Sequence, residues 1–124
     1  MKVVYLTKPR KMKIVEEPIP EITGNQVLVK IEYNGICGSD VHFYKDGRVG
    51  DSVLHDKFVL GHEAAGIVEK VGKDVMTLKQ GDRVALEPGC ACGKCEYCKT
   101  GRYNLCPDVR FFAAPPVRGT LQEY

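Results

Sequence analysis

The 124-residue chain is short of several features, each of which would mark a class of protein. No apolar run approaches the roughly 20 residues that a membrane span needs. The opening stretch, MKVVYLTKPRKMK, meets charge too soon for a secretory signal. Together these absences predict a cytoplasmic protein with no membrane partner. Neither sign of charge dominates: 18 basic and 16 acidic residues leave +2, too little to draw in nucleic acid or an anionic lipid surface. There is no internal repeat, low-complexity tract or linker. A sustained helical period of apolar residues is also missing, which argues against a helical bundle. No Gly-x-Gly-x-x-Gly loop, the usual cradle of a dinucleotide, occurs anywhere.

What remains is the composition of a folded chain, 44% hydrophobic and 27% charged. Area scaling predicts a folded surface of about 6,600 Å² against roughly 20,000 Å² unfolded, enough burial for a core without cross-links. Thirteen glycines and seven prolines favour short strands joined by tight turns. Strands are expected over 3–6, 12–15, 27–34 and 83–87, with 64–71, 110–113 and 120–124 extended. Over 27–34, Val27, Val29, Ile31 and Tyr33 share one face and Lys30, Glu32 and Asn34 the other, the pattern of a half-buried strand. Ser39 or Asp40 is expected to cap the start of a helix, and 46–57 to form a loop. The last residues, Leu121 to Tyr124, read as the opening of a strand with no polar tail, which predicts that the sequence is part of a longer protein.

Six cysteines are many for a reducing compartment, and five of them fall between positions 90 and 106. Cys92, Cys95, Cys98 and Cys106 follow the pattern C-x2-C-x2-C-x7-C, in which thiolates two residues apart on a turn can converge on one ion at about 2.3 Å. The spacing predicts a structural zinc loop over about 90–106, closed by four protein ligands and therefore without catalytic capacity. Cys90 could stand in for Cys92, although the even spacing favours Cys92 and leaves Cys90 a spare thiol. A second group is more scattered. Cys37 and His62 each lie beside glycine, and each has a carboxylate neighbour, Asp40 or Glu63, suited to orienting an imidazole or filling a coordination position.

These stretches, GICGSDVHFY, LGHEAAGIVEKVG, GDRVALEPG, CGKCEYCKTGRYNLC and RFFAAPPVRGT, span nearly the whole chain in register. In them the sequence resembles the N-terminal GroES-like catalytic domain of the zinc-dependent medium-chain dehydrogenases, and within that family the sorbitol, or polyol and xylitol, dehydrogenases. The resemblance implies a mainly β fold, a partly open GroES-like barrel with short helices and a structural zinc loop, over residues 1–124. The nucleotide-binding domain is absent from this stretch.

By the same resemblance, Cys37, His62 and Glu63 are ligands or near-ligands of a catalytic zinc. Ser39 starts a proton relay that His42 continues, and Asp40 orients the histidine ligand. Phe43, Tyr44 and Phe111 line the substrate pocket, and the four cysteines hold the structural zinc. Implied too are NAD(P), a small alcohol or polyol substrate oxidised to a ketone by zinc-assisted hydride transfer, and homo-oligomers in the complete enzymes. Gly38 follows Cys37 where primary-alcohol enzymes often carry a basic residue, which favours polyols. Without a dinucleotide fold, the isolated chain is expected to be inactive. Threonine or glucose dehydrogenases are the nearest alternatives. A zinc-stabilised binding module without activity is a further one, although it has no use for a Cys37–His62 site. A zinc-loop nucleic-acid binder is disfavoured by the lack of a basic face.

Overall fold

The computed structural model describes residues 1–124. In chain order its elements are β1 (Lys2–Lys8), β2 (Lys11–Glu16), β3 (Val27–Gly35), α1 (Gly38–Asp46), β4 (Arg48–Val49) and β5 (Ser52–Val53). There follow β6 (Glu63–Val71), β7 (Arg83–Ala85), β8 (Gly89–Cys90), α2 (Glu96–Lys99), a 3-10 turn (Tyr103–Leu105) and β9 (Arg110–Phe111). This is the mainly β, unclosed GroES-like architecture with short helices that was expected. No helix is long and apolar enough to cross a membrane.

β1 and β2 form an antiparallel hairpin, and β3, β6 and β7 an antiparallel sheet in the order β3-β6-β7. Residues 121–123 stitch the two together. Val4 N–H donates to Leu121 O at 2.9 Å, Glu123 N–H to Lys2 O at 3.1 Å and Ile31 N–H to Glu123 O at 2.9 Å. The expected strand over 120–124 is thus extended and bonded on both sides, although only Val3 and Gln122 meet the geometry of a bridge.

The core sits where these pieces meet. Leu6, Phe43, Phe58, Leu60 and Ala113 form its main cluster, and Val3, Tyr5 and Val59 a smaller one, with Leu121 against both. Leu6 and Leu60 are each 1% exposed, so truncating either to alanine costs about 2–5 kcal/mol. The segment 58–60, buried throughout and bonded to β1 through Leu6 and Phe58, leads the chain into His62.

Beside the smaller cluster, Tyr5 Oη donates to Glu17 Oε1 at 2.7 Å, and both terminal nitrogens of Arg118 reach Glu17 Oε2 at 3.1 Å. The phenol hydrogen bond, followed by the guanidinium, holds the Glu17 carboxyl below its usual range. The same hydrogen bond, with burial, raises the Tyr5 phenol.

Several details depart from expectation. The accessible surface is 8401 Å², well above the roughly 6,600 Å² of a closed domain of this mass. The sheet is open, and on its open side a groove of about 450 Å³ is lined by Val27, Val29, Ile31, Leu86 and Phe112. On β3, Leu28 is the buried residue at 9%, whereas Tyr33 is 69% exposed. Two register irregularities, between Leu28 and Val29 and between Ile31 and Tyr33, break the simple alternation.

The helix cap also differs. Cys37 is the N-cap of α1, and Asp40, at the third helical position, reaches back to accept its N–H. Ser39 lies one residue inside the first turn instead. The loop over 46–57 contains the two-residue strands β4 and β5, paired through Arg48 with Val53 and Val49 with Ser52. β7 and β9 are shorter than the sequence pattern predicts.

Two candidate metal centres

The four-cysteine loop is built locally. Cys95 caps the single turn of α2, so Cys98 stands one helical turn behind it. The 3-10 turn ends at Cys106, which is 4% exposed. The four sulfurs lie within 4.8 Å of one another. Cys95 Sγ is 3.5 Å from Cys98 Sγ, and Cys92 Sγ is 3.9 Å from Cys98 Sγ. Tetrahedral sulfurs about 2.3 Å from one zinc stand roughly 3.8 Å apart, whereas a disulfide brings its sulfurs to about 2.05 Å. All six cysteines are free. The spacing therefore fits zinc and not cross-links.

The backbone prepares the loop for charge. Cys95 N–H donates to Cys92 Sγ at 3.4 Å and Cys92 N–H to Cys106 Sγ at 3.4 Å. N–H groups of Lys94 and Cys95 pull the Cys92 thiol down to about 6, and desolvation with the neighbouring thiols pushes Cys98 up to about 12. Cys90 lies outside the ring, exposed, with its backbone paired to Arg110. Cys92 is the ring member.

The second centre is built by strand register. β3 and β6 pair antiparallel from Val27 with Val71 to Gly35 with Glu63. The end of one strand therefore lies beside the start of the other, and the residues just outside them, Cys37 and His62, converge. One ligand atom each from Cys37, His62 and Glu63 falls within 4.8 Å. Thiolate, imidazole and carboxylate are the donor set of an open zinc site, in which three protein ligands leave a position for substrate. Gly35 is required for this approach, because a Cβ there would stand 2.5 Å from Glu63 Oε2 and 3.0 Å from Glu63 Cβ.

Asp40 binds the two loops together. Its side chain is 5% exposed. Oδ2 accepts Cys37 N–H at 3.0 Å, and Oδ1 accepts Gly61 N–H at 3.0 Å. His62 Nδ1 stands 3.9 Å from Oδ1, beyond hydrogen-bond reach. The carboxylate thus acts on the backbone that presents both ligands and not directly on the ring. The sequence places Asp40 beside Cys37 and the resemblance links it to the histidine, but the double backbone clamp becomes visible only in the fold.

The remaining predicted residues fall in different places. Phe111 packs against His62, ring centroids 5.7 Å apart at 55°. Ser39 is half-buried in the first turn of α1. His42 is exposed on the same helix, its Nδ1 3.7 Å from Asp46 Oδ2. Tyr44 lines a small apolar hollow with Met12, Ile36 and Val41. Phe43 is 6% exposed within the core, and its ring is committed to packing there. The largest groove, beside β3, contains none of the seven candidate ligands.

Comparison with known proteins follows the same lines. Residues 23–124 match the family model described as the alcohol dehydrogenase GroES-like domain. The whole chain is 52% identical to the sorbitol dehydrogenase of Bacillus subtilis, covering 35% of that protein. Over 115 residues, 92% of the chain, it is 51% identical to a probable D-xylulose reductase A of Aspergillus clavatus, covering 32% of it. Among solved structures, an Escherichia coli oxidoreductase/dehydrogenase of unknown specificity superposes with a TM-score of 0.89 at 46% identity, over 99% of this chain and 36% of that one. L-idonate 5-dehydrogenase of Escherichia coli gives 0.88 at 35% identity, over 98% and 36%. The chain spans about a third of the length of the curated relatives it matches.

Proposed function

The chain belongs to the alcohol dehydrogenase GroES-like family of zinc-dependent medium-chain dehydrogenases, and from that membership we propose that it is the catalytic, zinc-binding part of an NAD(P)-dependent polyol dehydrogenase. The observation that carries the proposal is the convergence of Cys37, His62 and Glu63 beside the Phe111 ring. A zinc ion held by that triad supplies Lewis acidity, which makes the proton of a substrate hydroxyl removable near neutral pH. Cys37 and His62 would hold the metal from the two strand ends, with the exposed Glu63 as the third donor.

Ser39 takes the hydroxyl proton. His42, three residues further along the same helix face, passes it to water, and its exposure suits that end of a relay. Phe111 gives the substrate carbon an apolar wall. Gly38, with no side chain beside Cys37, leaves room for a polyhydroxylated substrate. The hydride acceptor, NAD or NADP, binds outside residues 1–124, so this chain alone does not turn over sorbitol.

The test uses the 124-residue chain with zinc in the four-cysteine loop and cobalt(II) in the mixed centre. Sorbitol or xylitol should shift the visible cobalt bands, ethanol should do so far less, and Cys37→Ser with His62→Ala should abolish the bands. A mixed centre that takes no cobalt, or bands indifferent to millimolar polyol, would refute the reading.

A further inference from the structure

We propose that Asn34 and Thr120 are positioning residues for the mixed centre: their partly buried hydrogen bond closes the flank of Gly61 and thereby sets the direction from which His62 reaches the metal. This rests on the reading of Cys37, His62 and Glu63 as a metal site. The argument begins at Gly61, the residue before His62, which is buried and holds φ at +89°. Few L-residues adopt that conformation, and surrounding contacts must maintain it. Its N–H is taken by Asp40 at 3.0 Å, and its carbonyl by Thr120 N–H at 2.8 Å. Its flank is closed as well. A Cβ at Gly61 would stand 2.9 Å from Asn34 Nδ2 and 3.0 Å from both Thr120 Oγ1 and Leu121 Cγ.

Thr120 and Asn34 are themselves locked. Thr120 is 5% exposed, and its hydroxyl donates to Asn34 Oδ1. Asn34 Nδ2 donates in turn to Gly35 O at 2.9 Å, and Gly35 is the residue that packs against the Glu63 side chain. The pair therefore touches the backbone behind His62 on one side and the residue that makes room for Glu63 on the other.

The surrounding backbone reinforces the clamp. Gly119 N–H donates to Val59 O at 2.8 Å and Leu121 N–H to Leu60 O at 2.9 Å. The segment 119–121 is thus laid along 59–61, and Thr120 is the member whose side chain reaches across to β3. Asp40 holds the Gly61 peptide from the α1 side, and Thr120 with Asn34 holds it from the opposite side. Losing the Asn34–Thr120 side-chain pair leaves the Thr120 N–H bond to Gly61 O in place but no longer fixes its direction, so the Gly61 torsions relax and the imidazole that follows moves with them.

The alternative is that the two side chains merely satisfy each other's polar atoms, and a metal readout separates the two ideas. The full chain is loaded with zinc in the four-cysteine loop, and cobalt(II) affinity at the mixed centre is measured by chelator competition together with its visible spectrum. Thr120→Val, nearly isosteric but without the hydroxyl, should weaken cobalt about tenfold and shift its bands, the lower end of what residues behind a ligand contribute. Asn34→Ala should do the same. Thr120→Ser, which keeps the donor, should stay within about twofold of the parent, with loop zinc retained throughout.

Parental cobalt affinity and spectrum in both Thr120→Val and Asn34→Ala would overturn the proposal. Loss of loop zinc in both would also overturn it, since the pair would then hold the fold and not the centre. If only one variant keeps its loop zinc, that variant decides. A parent chain that binds no cobalt at the mixed centre would instead sink the metal reading itself, a distinguishable failure.

Discussion

The two centres of this chain recruit their ligands in opposite ways. The four-cysteine ring is assembled within 15 consecutive residues from a helical turn, a 3-10 turn and the loop between them. The mixed centre draws Cys37 and His62 from the facing ends of two strands and depends on the register that runs from Val27 with Val71 to Gly35 with Glu63. A local ring closes all four positions with sulfur and stabilises the fold around it. A centre set by register keeps a gap towards solvent, with Glu63 exposed at its rim. Its geometry is only as exact as the backbone clamps behind it. A self-contained ring and a centre that depends on its surroundings thus follow from how far apart in sequence the ligands are recruited.

The largest expected effect breaks the local ring. Cys106 is the most buried of the four sulfurs and accepts Cys92 N–H. Cys106→Ser should release the loop zinc and cost on the order of 3 kcal/mol, about 10 °C or more in Tm. Thermal melting followed by circular dichroism, with limited proteolysis over residues 90–110, checks it. A chain that melts as before and resists cleavage there would show that the ring contributes nothing to stability.

Next comes the clamp of the mixed centre. Asp40→Asn keeps the size of the side chain but loses the charge and one of the two acceptors used by the N–H groups of Cys37 and Gly61. Metal affinity at the mixed centre should fall 10- to 100-fold, to judge from residues that act through ligands elsewhere, while loop zinc is unchanged. Chelator competition monitored separately at the two sites gives the answer. Equal losses at both sites would erase the contrast between a ring that stands alone and a centre that depends on its surroundings.

A milder change sharpens the role of the exposed ligand. In Gly35→Ala the new methyl would meet Glu63 Oε2, the movable end of a flexible side chain, together with the less forgiving Glu63 Cβ. The carboxylate should swing aside and leave a two-ligand centre. Metal affinity there should drop by several-fold, with Tm within a few degrees of the parent. An unchanged affinity would mean that Glu63 lies outside the coordination sphere.

How much of this was legible in the sequence follows the same division. The cysteine ring is readable from spacing because a turn of known geometry connects every ligand to the next. Cys37 and His62 could be suspected from their glycine and carboxylate neighbours, but their meeting needed the strand register, which a one-dimensional pattern does not carry. The pattern on β3 predicted an apolar face for Tyr33 that the irregularities and the open edge leave in solvent. Of the two residues expected to cap α1, Asp40 does so from the third helical position by reaching back to the peptide of the N-cap, Cys37, and Ser39 does not. Asn34 reads as the polar face of a strand and Thr120 as the end of RFFAAPPVRGT, but nothing in either pattern signals that the two, 86 positions apart, meet. Contacts of this kind arise from the path of the segment 119–121 along 59–61, a product of tertiary packing.

The smallest effect concerns a cluster that contains no candidate metal ligand and provides the control for the comparison. Glu17, bonded to Tyr5 and Arg118, titrates below its ordinary value in the folded chain. A lowered carboxyl contributes stability that is present above its unfolded pKa and is lost as pH falls through the folded one. Tyr5 titrates above its ordinary 10.0, so its contribution is present below that value and fades as pH rises through the raised pKa. The cluster therefore steadies the β1–β2 hairpin between the two limits and weakens beyond each. Tyr5→Phe removes the phenol donor and should flatten both flanks of the Tm-against-pH curve, by a few degrees at most, because the Glu17 side chain is 26% exposed and water screens the interaction. The flattening should be equal in zinc-loaded and zinc-free chains, since none of these three residues is a metal ligand. A Tyr5→Phe effect that vanished on removing zinc would tie the hairpin to the centres and break the separation between scaffold and metal sites.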